Sequence, residues 1–296
     1  MKITLSLLIT IVATIFPLLS IASSPILAPA WTTATEFNQP ESVVYDQAQQ
    51  ILYVSNINGD GTAHDGDGFI SQLALNGTVI KKKWITGLDA PKGMAIVGNK
   101  LYVADIDQLV IIDITSAKIS QRYPAPGAIF LNDVAADNKG NIYVSDMMTN
   151  TIHQLANDKF DIWLHDIRLE APNGLLVKDD QLIVGSWGNI TNGFSTDIPG
   201  HLKIVDLNSK QIQSLGDKTP AGNLDGVEAD GNGNYLVTDW MAGKLLHITP
   251  EGISTTLLVL DQGAADHAVL PKHGLVIIPM MLSDKVIAYK ILEPTN

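Results

Sequence analysis

The 296-residue sequence contains no cysteine. That absence excludes a disulfide framework, thiolate metal sites, iron–sulfur clusters and a cysteine nucleophile, so any metal must be held by oxygen or imidazole. Basic residues are also scarce, with 19 Lys and Arg against 31 Asp and Glu and a net charge of −12. A surface of that sign repels nucleic-acid phosphates. The one basic run, Lys81-Lys82-Lys83, reads as an exposed strand end, and no nucleic-acid partner is expected. A G-x-S-x-G nucleophile elbow is missing as well, which removes the usual serine-hydrolase signature. Long apolar runs are confined to the start of the chain. Residues 1–22 combine Lys2, an apolar stretch from Ile3 to Leu19 and small residues in Ser20-Ile21-Ala22. This is the pattern of a secretory signal peptide cleaved after Ala22, with an uncleaved anchor as the competing reading. No later segment is long and apolar enough to span a bilayer as a helix. The expectation is a secreted or periplasmic protein whose residues 23–296 form one domain.

What is present is a repeat. The phrase Asn141–Asp146 (NIYVSD) has relatives at Ile51–Asn56, Lys100–Asp105 and Asn234–Asp239, with weaker copies at Gln181–Ser186 and Gly274–Pro279. Each is β-branched and aromatic, and so reads as a strand. A second short run precedes each one, beginning at Pro40, Pro91, Leu131, Pro172, Leu224 and Ala265. Aligning the second residue of these runs gives Glu41, Lys92, Asn132, Asn173, Asp225 and Asp266, at intervals of 51, 40, 41, 52 and 41 residues. The two long intervals contain expanded loops at Asn56–Gly68 and Gly188–Gly200. Six repeats of this length, with no amphipathic helix between them, predict an all-β, six-bladed β-propeller of four-stranded blades. The sixth repeat lacks a clear outer strand. Trp31–Phe37 is expected to supply it, closing the ring with an N-terminal strand.

In such a ring the first residues of the innermost strands converge on one mouth of a central channel. Small or apolar filler is the ordinary choice there, because polar groups near the axis must be hydrated or paired. The three carboxylates and two carboxamides of this ring suit instead a hard divalent cation held by oxygen. Calcium tolerates the irregular geometry best, with Zn2+, Mn2+ and Mg2+ as alternatives. The loops on the same face carry Met147-Met148, Trp187, Trp240-Met241 and Met280-Met281, a soft and aromatic wall for an apolar or mixed small molecule. Lys92 could hold an oxyanion or carboxylate of that ligand, or form an ion pair with Glu41 or Asp266. The segment Asn56–Asp67 imperfectly resembles a calcium loop but reads better as a Gly-rich loop over the active face. His64, His153, His165, His201, His247 and His273 show no ligand spacing and most are expected at the surface.

With these residues in place, the sequence resembles the regucalcin/gluconolactonase (SMP-30/gluconolactonase/LRE-like) family of six-bladed propellers, related to the paraoxonases and diisopropyl fluorophosphatase. The resemblance implies one divalent metal bound by Glu41, by Asn173 of Pro172-Asn173-Gly174, by Asp225 of Leu224-Asp225-Gly226, and by or beside Asn132 of Asn132-Asp133. It further implies a metal-dependent hydrolase of lactones or related esters, with Asp225 as base for the attacking water and Asn132 orienting the substrate. Sharing Asp225 with a metal would keep its pKa low. Lys92, Met147, Trp187, Trp240 and His267 are the expected substrate-binding residues. Asp225 with Glu228 three residues on, and His267, also resemble part of a second, buried structural calcium site in the fluorophosphatase branch. Two positions depart from the pattern. Phe130 stands where the gluconolactonase branch has an Arg that engages sugar-lactone oxygens, and Glu41-Ser42-Val43 replaces Glu-Gly-Pro. A monomer is expected, homo-oligomerisation being left open. The competing functional reading is a non-catalytic binding propeller of the cell envelope with a structural metal, since this fold hosts both roles.

Overall fold

The YVSD-like phrases are the second strands of six antiparallel sheets, each flanked on both faces by neighbouring sheets. Leu52, Tyr53 and Val54, for example, are all fully buried, which is why these strands read as unbroken apolar runs. The computed structural model describes residues 24–292. The proposed signal peptide lies outside the described residues.

The first blade comprises Pro40–Asp46, Ile51–Asn56, Gly68–Ala74 and Val79–Leu88. The second comprises Pro91–Val97, Lys100–Asp105, Gln108–Asp113 and Lys118–Pro124. Leu131–Ala136, Ile142–Asp146, Thr151–Ala156 and Lys159–His165 make the third. The fourth uses Pro172–Lys178, Gln181–Ser186, Leu202–Asp206 and Ile212–Ser214, and an extra hairpin, Gly188–Asn192 with Ser195–Pro199, is inserted between its second and third strands. Leu224–Ala229, Tyr235–Asp239, Lys244–Ile248 and Ser254–Val259 form the fifth. The sixth joins Ala268–Leu270, Leu275–Met280 and Lys285–Leu292 to the N-terminal strand Ile26–Thr32. The chain is thus a six-bladed β-propeller whose ring is closed by its own N-terminal strand. Among the described residues the only helices are single 3-10 turns, and none is long and apolar enough to cross a membrane.

Each pair of successive blades encloses its own apolar cluster. Leu101, Val103 and Ile112 pack with Tyr53 and Ile70 between blades one and two, and Leu236 and Leu245 pack with Val276 and Ile278 between blades five and six. Fully burying one such side chain contributes about 1.5–3 kcal/mol. Six interfaces of this kind hold the ring together without a covalent staple.

Two details differ from the expectation. The closing strand is Ile26–Thr32, five residues ahead of the Trp31–Phe37 segment, and pairs from Ile26 with Leu292 to Thr32 with Ile287. Pro29 sits at an irregularity on this outer strand, where a missing N–H breaks no ladder. The sixth repeat is also out of frame by one residue. Ala264 bridges Met280 as Leu224 pairs with Asp239, so Ala265, not Asp266, occupies the ring position. Asp266 stands level with Ser42, to which it is bridged.

Three of the six histidines expected to be mostly at the surface are instead buried: His153, His201 and His247. Each is tucked between strands; His247 bonds Asp230 at 3.3 Å and His201 bonds Ser214 at 2.9 Å.

Candidate active site

The strands deliver the ring residues through a repeated set of hydrogen bonds. The Asp that ends the second strand accepts from backbone N–H groups just ahead of the ring residue: Asp105 from Asp89 and Ala90, Asp146 from Ile129 and Phe130, Asp239 from Asn223. The hydroxyl before it links neighbouring blades. Ser145 accepts from Asp133 N at 2.9 Å and donates to the carbonyl of Asn173 at 2.7 Å. Thr238 does the same between Gly226 N and the carbonyl of Ala265. The repeat is therefore a device for holding the inner strands in place.

At one mouth this brings Glu41, Lys92, Asn132, Asn173 and Asp225 to the floor of a cavity of about 270 Å³. Met147, Trp187, Trp240 and Met281 contribute to its wall, as expected from their loops, whereas Met280 is buried in the core. Phe194 and Leu282 also line it, as does the loop Gly59–Thr62. Phe194 arrives on the inserted hairpin, and no repeat position foretold it. His267 is not brought to this cavity. It is fully buried in the sixth inner segment with both ring nitrogens unpartnered, and burial pushes its pKa down to about 3. Glu228 and Asp266 open on the opposite mouth, in a depression of about 620 Å³ that Asp133 also lines.

The floor is electrostatically unbalanced. Glu41 is 5% exposed, and its Oε2 has no hydrogen-bond partner. Burial, reinforced by Asp225 and Asp266, holds its carboxyl well above the usual range. Burial and Asp266 also raise Asp225. Lys92 forms no ion pair with Glu41 or Asp266. Its ammonium donates to the carbonyls of Gly61 and Ala90, both at 3.0 Å, and lies 4.3 Å from the centre of the Phe130 ring. Burial lowers its pKa to about 8.

A family model for the SMP-30/gluconolactonase/LRE-like region matches residues 39–261. The chain belongs to the SMP-30/gluconolactonase/LRE-like family. Solved structures share the fold at low identity. A gluconolactonase from Xanthomonas campestris is 14% identical, with 90% of each chain covered and a TM-score of 0.66. Virginiamycin B lyase from Staphylococcus aureus is 13% identical over 91% of this chain and 100% of its own, at 0.63. A streptogramin B lyase is 13% identical over 90% and 98%, also at 0.63. No curated protein sequence matches the chain significantly.

Within the SMP-30/gluconolactonase/LRE-like ring, a divalent cation can be tested against the donors on the floor. The carboxamide oxygen of Asn173 is buried without a partner. The Asn132 N–H2 faces the Met147 sulfur at 3.8 Å, leaving its oxygen free. Two buried oxygens on this floor, Glu41 Oε2 and Asn173 Oδ1, thus lack the donors or cations that buried oxygens require. Among the described residues no three His, Asp or Glu side chains form a metal-ligating cluster, so a cation here would need the carboxamides. An all-oxygen set of this kind fits calcium.

Proposed function

We propose that this chain is an exported hydrolase of lactones or related esters that depends on a divalent cation, most suitably Ca2+, held by Glu41, Asn132, Asn173 and Asp225. The observation that carries the proposal is the pair of orphaned buried oxygens, Glu41 Oε2 and Asn173 Oδ1, on the floor of an apolar-walled cavity. When bound, the cation would polarise the ester carbonyl and offset charge developing on its oxygen. Asp225 serves as the base that takes a proton from the attacking water. Asn132, on the adjoining third blade, orients the acyl oxygen. Met147, Trp187 and Trp240 exclude bulk water from the floor, which strengthens every charge interaction there. Lys92 supplies the one positive side chain on this floor and offsets part of the negative charge. The expected ligand is a small molecule, and the expected working form is a monomer.

The test pairs metal analysis of protein purified without chelator with hydrolysis assays on a lactone panel. Asp225→Asn should reduce kcat by about 10²- to 10⁴-fold, the range for losing a general base. Glu41→Gln should lower the bound cation. Full metal content in Glu41→Gln would remove the ring from the cation site. Stoichiometric cation without turnover of any lactone or ester would make the protein a binding propeller.

A further inference from the structure

We infer that the substrate carries an aryl or alkyl substituent rather than a polyhydroxylated chain, and that Phe194 determines this preference; the inference rests on the hydrolase reading of the same cavity. Three observations converge on it. The first is the hairpin Gly188–Asn192 with Ser195–Pro199, the only two-stranded sheet among the described residues and a surplus to the four strands of its blade. Its turn passes through Gly193 at φ 59° and places Phe194 on the cavity. The Trp187 indole N–H donates to the Phe194 carbonyl at 2.8 Å, pinning that turn over the floor.

The second is a continuous aromatic wall. Ring centres of Phe130 and Phe194 are 5.6 Å apart, those of Phe194 and Trp187 6.2 Å, and those of Trp187 and Trp240 6.0 Å. Phe194 remains 44% exposed, so part of its ring is free to cover a ligand. Leu282, which also lines the cavity, is 53% exposed, extending the apolar surface at the mouth.

The third is what this wall cannot do. Phe130 turns a ring face, not a donor, towards the cavity, and two of the three Lys92 N–H bonds are spent on the carbonyls of Gly61 and Ala90. Gln39, Asp60 and Thr62 are the polar side chains lining this cavity away from its floor, so hydroxyls turned towards the aromatic side would be buried against carbon, which costs more than an apolar group gains. The volume of about 270 Å³ equals roughly nine water-sized shares at about 30 Å³ each. A five- or six-membered lactone with a short substituent fills it, and a longer chain would run out over Phe194.

Lactams cannot be turned over as readily as lactones, so they separate recognition from chemistry. Titration calorimetry should compare δ-lactams that are unsubstituted, hexyl-substituted, phenyl-substituted and polyhydroxylated. The hexyl and phenyl forms should bind at least tenfold more tightly than the polyhydroxylated one, since each buried methylene is worth about fourfold. Phe194→Ala should cut that advantage about tenfold with an unshifted melting temperature, and a variant replacing residues 189–198 with a short Gly linker should do the same. The matching lactones should rank in the same order by kcat/KM. Equal or tighter binding of the polyhydroxylated lactam, or an advantage untouched in both variants, overturns the inference. Tight binding of the phenyl lactam with no lactone hydrolysed at saturating Ca2+ overturns the hydrolase reading and leaves the ligand class standing.

Discussion

Gly174 shows how little freedom the ring positions have. A β-carbon there would run into the carbonyl oxygen of Asp225 on the next blade. Gly226 is as tightly placed against the carboxylate and Cα of Asp266, and Gly93 against those of Asp133. The Asn-Gly and Asp-Gly pairs are thus a packing requirement: the residue after the ring position must be small wherever its neighbour is close. Gly174→Ala forces two blades apart at the point where Asn173 and Asp225 meet. It should cost about 1–3 kcal/mol, the usual penalty for overpacking, and should weaken Ca2+ binding as well, which urea unfolding and calorimetric titration would measure. Ser145→Ala tests the neighbouring junction, between blades three and four. It leaves Asp133 N and the Asn173 carbonyl without their buried partner, and should cost about 1–3 kcal/mol. Should either variant unfold at the wild-type urea midpoint, the tight inter-blade junction would not be what holds the ring.

At the level of elements, the N-terminal strand matters most, because it turns an open array into a ring. Ile26–Thr32 covers the outer edge of Lys285–Leu292, and the Trp31 indole donates to the carbonyl of Leu75 in the first blade at 2.9 Å. Trp31→Ala removes that bond and the packing of the indole over Gly77. A loss of about 3 kcal/mol is expected for a large aromatic at a largely covered site. Beginning the chain at Glu36 should do more, exposing the edge of Lys285–Leu292 to other molecules. Light scattering during refolding would register it, and a truncated chain that refolds as a clear monomer would refute it. The same element marks where sequence reasoning stopped. Second strands are legible because burial on both faces demands β-branched and aromatic residues without a break. The closing strand is less so, since an outer strand half open to solvent tolerates Pro29 and carries no such demand. The sixth inner segment was misread by one residue because Ala264-Ala265 lacks the apolar-then-polar start of the other five, and Asp266 mimics it. On the floor, Glu41, Asn132, Asn173 and Asp225 stood out as polar residues where filler is the rule. Phe194 did not, because an inserted hairpin obeys no repeat.

Across the whole molecule, carboxylates accumulate along the channel faster than cations offset them. Glu41 and Asp225 sit at one mouth, with Asp133, Asp266 and Glu228 towards the other, and Lys92 is the single amine on the floor. Burial, with Asp266 beside it, pushes Glu228 up to about 8, and burial pushes Asp266 up to about 7. Such groups bind more protons folded than unfolded between their unfolded values near 4 and these raised ones. Stability must then fall as pH rises through that window. Carboxyls held low, such as Asp166 at about 2 beside Arg168, act the opposite way only at more acidic pH, and the buried His267, pushed down to about 3, offsets part of the fall up to its unfolded value near 6.5. Chelator-treated protein should therefore melt at least about 5 °C lower at pH 8 than at pH 5.5, a difference of a kcal/mol or more at this size. Added Ca2+ binds the folded ring and stabilises it by mass action. Protons compete for the same oxygens, so the gain should be larger at pH 8 than at pH 5.5 and should flatten the pH profile. Scanning calorimetry with and without Ca2+ at both pH values decides the matter. A chelated protein that is as stable at pH 8 as at pH 5.5 would mean that the channel carboxylates are neutralised by something other than protons or a cation.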